Sequence, residues 1–92
     1  MRLRFAAQAH TQLNATFDYL KERNAIAAAD VVASIQRSAE RLTRSPSLGI
    51  TTDEGAVRLL IEPEYLYRIF YEVRGTDIFV IRILHHAQDL ER

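Results

Sequence analysis

The spacing of apolar residues changes period twice along this chain. Arg2-Leu3-Arg4-Phe5 alternates polar and apolar, as a short half-buried strand does. From about residue 7 to 23 the pattern turns helical. Leu13, Phe17 and Leu20 fall at i, i+4 and i+7, leaving Gln12, Asp18 and Glu22 for the wet side. Asn24 tolerates left-handed backbone and is placed to end that helix. A second helix over about 26–44 carries Ala28, Val31 or Val32, Ile35, Ala39 and Leu42 on one stripe. It stops at Ser45-Pro46, because proline disfavours helix in the residue before it. So short a connection makes an antiparallel hairpin, which should bury Phe17, Ile35 and Leu42 against a sheet.

Residues 46–56 hold one Pro, two Gly, two Thr and two acids, and predict a loop. Period two then returns in three runs, 57–61, 66–73 and 78–84. Glu62-Pro63-Glu64 and Arg74-Gly75-Thr76-Asp77 supply the turns between them. In the last run Ile78, Val80 and Leu84 share one face, while Phe79, Ile81 and Ile83 share the other. A strand apolar on both faces is central and covered twice. The hairpin covers one face, so residues 85–92 or a partner polypeptide must cover the other. The expected fold is α+β: an N-terminal strand and an α-helical hairpin packed on a mostly antiparallel four-stranded sheet, in a single domain over 1–92. The first strand must pair with one distant in sequence.

Composition narrows the function classes. With 92 residues, 48% hydrophobic and 26% charged, the chain is an ordinary globular domain. Twelve basic residues balance twelve acidic ones, so bulk binding to nucleic acid phosphate is not expected. The charge is divided unevenly: residues 1–50 carry seven basic and four acidic groups, a net +3, and residues 51–92 five and eight, a net −3. Eleven of the twelve cations are Arg; Lys21 is the exception. The absence of Cys excludes disulfides, thiolate nucleophiles and zinc ribbons, and fits a cytoplasmic location. The start turns polar after Ala9, too soon for a signal-peptide core, and no apolar run approaches the ~20 residues of a membrane span.

Few residues suggest chemistry. His85 and His86 are adjacent, so in a strand they point to opposite faces and do not readily share a metal. One of them could act as a general acid, or simply cap the strand end. Arg58, Arg68 and Arg82 each lie in a predicted strand. They could converge on a phosphate, or pair with Glu62, Glu64 and Glu72. Tyr65, Tyr67 and Tyr71 could stack on bases or pack in the sheet. Arg37, Arg41 and Arg44 form a basic i, i+4, i+7 stripe on the second helix, with Glu40 able to pair with Arg44. No glycine-rich phosphate loop, Ser/His/Asp signature or paired-carboxylate motif is present.

The β-α-α-β-β-β order, with LTRSPSLG closing the hairpin and then GAVRLL, YRIFYEV and IFVIRILHHAQD, resembles the RelE/ParE superfamily of type II toxins over nearly the whole chain. Gly55 and Arg58 are similar to the family's Gly-x-x-Arg, Tyr67-Arg68 with Tyr71 to its Tyr-Arg-x-x-Tyr, and residues 82–89 to its terminal Arg-x-Leu-His-x-Ala-x-Asp. Ile50 and Gln88 depart from it, standing where many members carry a basic residue. The resemblance implies a toxin neutralised by a cognate antitoxin. RelE-like members are ribosome-dependent mRNA endonucleases; ParE-like members poison DNA gyrase and are not nucleases. A nuclease of this kind needs a base, an acid and cations at one phosphate. Here that role could fall only to Arg58, Arg68 and His85 (or His86), with Tyr71 beside them, on a net-negative half. The terminal motif is also closer to the ParE-like branch, which is the expected one. A degenerate, non-toxic binding protein of the same fold is the alternative from a different class. Arg37, Arg41, Arg44, Arg82, His85 and His86 are the candidate partner contacts. No cofactor, metal, membrane or sequence-specific DNA binding of its own is expected.

Overall fold

The computed structural model describes residues 1–85. Its elements run β1 (Arg2–Phe5), α1 (Ala7–Lys21), α2 (Ala25–Arg41), β2 (Ile50–Thr51), β3 (Arg58–Ile61), β4 (Tyr67–Arg74) and β5 (Asp77–His85). The strands form one sheet in the order β1-β5-β4-β3-β2. All neighbours are antiparallel except β1, which runs parallel to β5 with Leu3 opposite Ile78. The first strand thus pairs with one distant in sequence, as expected.

The sheet has a fifth strand. Ile50 and Thr51, expected in a loop, pair with Leu59 and Arg58. Two exposed residues carry no periodicity of their own, so this strand exists only through its partner. The helix boundaries also shift. Asn24 does not end α1 in a left-handed conformation; it is extended and its Oδ1 accepts from the Ala27 N–H at 3.1 Å, capping α2. α2 stops at Arg41, and residues 42–44 continue as turns.

The core lies between the hairpin and one face of the sheet. α2 contributes Val31, Ile35 and Ala39, β4 Tyr67 and Ile69, and β5 Val80 and Ile83. Ile35 and Leu42 are fully buried, as expected. Phe17 is not: α1 turns Ala9 and Leu13 inward and leaves Phe17 half-buried, with the Lys21 ammonium 5.7 Å from its ring. The apolar stripe of α1 runs one step earlier than Leu13, Phe17 and Leu20 suggest.

Strict alternation also fails in β5. Tyr71 pairs with Val80 but Phe70 pairs with Arg82, so Ile81 is an extra residue in a bulge. Beyond it the faces exchange. Ile83 joins Val80 beneath the helices, and Leu84 takes the opposite face beside Arg68. Where β1 ends, α1 takes over the edge of β5: the Gln12 Oε1 accepts from the Ile83 N–H at 2.7 Å. Gln12 is therefore not on the wet side.

Candidate functional site

The polar residues of the sheet sort into two buried clusters on the helix side, a charged pair on the open face and a basic stripe on α2. At one end of β4, Glu62 is fully buried. Its Oε2 accepts from the Ser34 hydroxyl at 2.6 Å and the Glu64 N–H at 2.7 Å, and its Oε1 from the Tyr65 N–H at 2.9 Å. The Tyr67 N–H lies at 3.4 Å from Oε1. Burial pushes this carboxyl up, but the Ser34 and backbone hydrogen bonds together hold it below the ordinary carboxylate range. Burial and the nearby Glu62 charge push the Tyr67 phenol above its ordinary value. The carboxylate organises a tight β3–β4 turn in which Leu66 is held at φ +63°, a left-handed conformation rare for a branched side chain. Glu62 is therefore a turn organiser, not an arginine partner.

Further along β4, the Tyr71 hydroxyl donates to the Pro46 carbonyl at 2.7 Å and accepts from the Gly49 N–H at 2.9 Å. The Arg58 guanidinium donates to the Gly49 carbonyl at 2.7 Å. Gly49 must be glycine, since an added Cβ would lie 2.7 Å from Tyr71 Cε1 and 2.8 Å from the Leu59 carbonyl oxygen. Tyr71 and Arg58 tie the segment after α2 to the sheet.

Arg58, Arg68 and His85 do not converge. Arg58 pairs with the core residue Tyr71, and His85 pairs with Tyr67, so both lie on the helix side. Tyr67 and Tyr71 are four residues apart on one strand, which separates those two positions by about 13 Å. Arg68 lies between Ile61 and Leu84 on the opposite face. The His85 ring meets Tyr67 edge-on, centroids 4.8 Å apart, in the wall of a cavity of about 530 Å³ between α1 and the sheet.

Arg82 is on the open face. It forms a two-point ion pair with Glu54 and lies over the Phe70 ring, its Cζ 4.1 Å from the centroid. Loop 52–56 is thus drawn over Phe70, which is only 9% exposed. This intramolecular cover, which the sequence does not signal, accounts for part of the second face. Further along, Arg2 and Arg4 each stand 3.7 Å from Asp77, and Arg74 stacks on Phe79.

On α2 and the turn after it, Arg37, Arg41 and Arg44 line an open cavity of about 340 Å³ with Ser38, Pro63 and Glu64. Arg37 stands 3.7 Å from Glu64. The expected Glu40–Arg44 pair does not form, and among the described residues neither Arg41 nor Arg44 has an ion-pair partner. His86 lies outside the described residues. Among those residues no group of three or more His, Asp or Glu could hold a metal, and no helix is long and apolar enough to cross a membrane.

The architecture is shared with known proteins. The chain matches a chain of the chromosomal ParDE toxin–antitoxin system from P. aeruginosa with a TM-score of 0.81 and 22% identity, covering 92% of this chain and 95% of that one. It matches a chain of the intact E. coli RelBE toxin–antitoxin complex with a TM-score of 0.64 and 15% identity, covering 91% and 94%. At such identities these likenesses show the fold alone. No curated protein sequence matches at a significant level. The family described as the ParE toxin of the type II toxin–antitoxin system parDE matches residues 3–90. That match spans β1 to β5 and every residue of the two buried clusters; the chain belongs to the ParE toxin family of type II toxin–antitoxin systems.

Proposed function

We propose that this toxin inhibits DNA gyrase by protein contact, without cleaving RNA, and that a cognate antitoxin neutralises it. The observation that carries the reading is the dispersal of Arg58, Arg68 and His85. In-line cleavage of an RNA backbone needs a base, an acid and cations around one phosphate. Two of the three candidates, Arg58 on β3 and His85 on β5, flank β4 and are offset along it by about 13 Å, and the third is on the other face of the sheet. Arg58 is also committed to the Gly49 carbonyl. The net charge of −3 on residues 51–92 further disfavours a sheet that grips RNA. Gyrase is cytoplasmic, so the toxin acts there. Operator DNA is read by the antitoxin rather than by this chain.

Purified protein should block gyrase supercoiling and leave ribosome-bound mRNA intact. Cleavage of that mRNA, abolished by Arg68→Ala and His85→Ala in folded protein, would replace this reading with the RelE-like one. Growth arrest on expression without the antitoxin separates either toxin from a non-toxic binding protein.

A further inference from the structure

We propose that the cavity lined by Arg37, Arg41 and Arg44 is an electrostatic docking site for an acidic segment of the antitoxin, and so a determinant of which antitoxin is accepted. This rests on the antitoxin reading above. The three guanidiniums occupy one face of α2 and the turn after it, around an open cavity of about 340 Å³. Side chains of this kind on a solvated helix are normally neutralised by neighbours at i+4. Here that neutralisation is missing: Glu40 does not pair with Arg44, and Arg41 and Arg44 have no ion-pair partner among the described residues. Arg37 reaches Glu64 at only 3.7 Å with both side chains largely exposed, a contact of little worth that an incoming carboxylate can replace.

Arginine favours carboxylate partners because its planar fork donates two parallel hydrogen bonds. Carboxylates on a polypeptide fit better than a phosphate backbone. A nucleic acid needs a continuous basic track, whereas Glu40 and Glu64 flank this cavity. The same turn that supplies Pro63 and Glu64 also presents Leu66, half exposed in its left-handed conformation. A segment with acidic residues followed by an apolar one would engage both. Such contacts govern the association rate and partner choice more than raw affinity.

The test uses the small protein encoded beside this chain as the probe, with affinity measured across a salt series. Arg41→Glu with Arg44→Glu should weaken binding at least about tenfold and flatten the salt dependence. Arg23→Glu, on the far turn of the hairpin, should leave both unchanged. The melting transition and circular dichroism of the double variant should match the wild type, which confirms folding. A lysine replacing one acidic residue of the antitoxin should recover part of the lost affinity in the double variant. An unchanged salt slope and affinity would overturn the docking site while leaving the antitoxin reading intact. Binding of a short DNA duplex, lost in the double variant while antitoxin affinity is retained, would reassign the cavity to phosphate and overturn the proposal. A wild-type chain that does not bind the neighbouring protein defeats the antitoxin reading and this proposal with it.

Discussion

The two ends of β4 solve the same problem with different chemistry. One fastens the sheet to α2 and the other to the segment after α2, each through one buried polar side chain. At the Tyr71 end the fastening is a neutral hydroxyl that bridges Pro46 and Gly49, assisted by Arg58. At the Glu62 end it is a buried carboxylate, neutralised by a serine hydroxyl and backbone N–H dipoles rather than by a cation. The first should be insensitive to acid and tolerant of loss. The second concentrates several donors on one charge, so its failure strands more than one of them. Buried ion-like groups are secure only while every donor is in place.

Glu62→Ala tests that contrast most severely. It leaves the Ser34 hydroxyl and several turn N–H groups without their acceptor, and should cost about 3–5 kcal/mol in chemical denaturation. Glu62→Gln keeps an acceptor and should cost clearly less. Tyr71→Phe orphans the Gly49 N–H and the Pro46 carbonyl and should cost about 1–3 kcal/mol. Gly49→Ala should cost at least as much, because the added carbon meets Tyr71 and the Leu59 carbonyl. A Tyr71→Phe loss equal to that of Glu62→Ala would erase the distinction between the two ends.

Acid sharpens the comparison. The Glu62 carboxyl titrates below its ordinary value of 4.5 in the folded protein. Its contribution is therefore present above 4.5 and lost as pH falls through the folded value. Wild-type melting should drop across that window, and the drop should shrink in Glu62→Gln. At the alkaline limit the Tyr67 phenol is raised above its ordinary 10.0, so the fold should weaken as pH rises past that value. Tyr71→Phe should leave the acid response unchanged. Combined with Glu62→Gln, its cost should add to within about 0.5 kcal/mol, since the sites are more than 10 Å apart. The smallest effect belongs to the open face: Glu54→Gln removes a partly exposed pair and should cost less than about 1 kcal/mol.

The helical stripe of α2 and the strands β3 to β5 were legible because periodicity encodes which side faces a core. What escaped lies where position is set by a distant partner. Ile83 and Leu84 are equally apolar, so nothing local announces the bulge at Ile81 that exchanges their faces. Ile50 and Thr51 become a strand only because β3 is beside them. Glu62 and Tyr71 sit in ordinary turn and strand contexts; their hydrogen bonds reach 28 residues back to Ser34 and 25 back to Pro46. The Arg82–Glu54 pair likewise spans 28 residues. Arg58, Arg68 and Arg82 were legible as strand arginines, but which face each occupies depends on register. Of the stripe at Arg37, Arg41 and Arg44, helical spacing accounts for the first two; Arg44 follows the end of α2, and its cavity with Pro63 and Glu64 depends on a turn distant in sequence.

The parallel pairing of β1 with β5 has a consequence in time. Residues 2–5 are made well before residues 77–80, with which they pair. Closing so long a loop carries an entropic cost, and contacts so distant in sequence slow folding. The α1–α2 hairpin can form early, but β5, against which β1 and β4 both align, is made after every other described element. In a nascent chain the sheet therefore cannot close until β5 has been made. An interval opens in which the helical hairpin is formed while the sheet face it will cover is still incomplete.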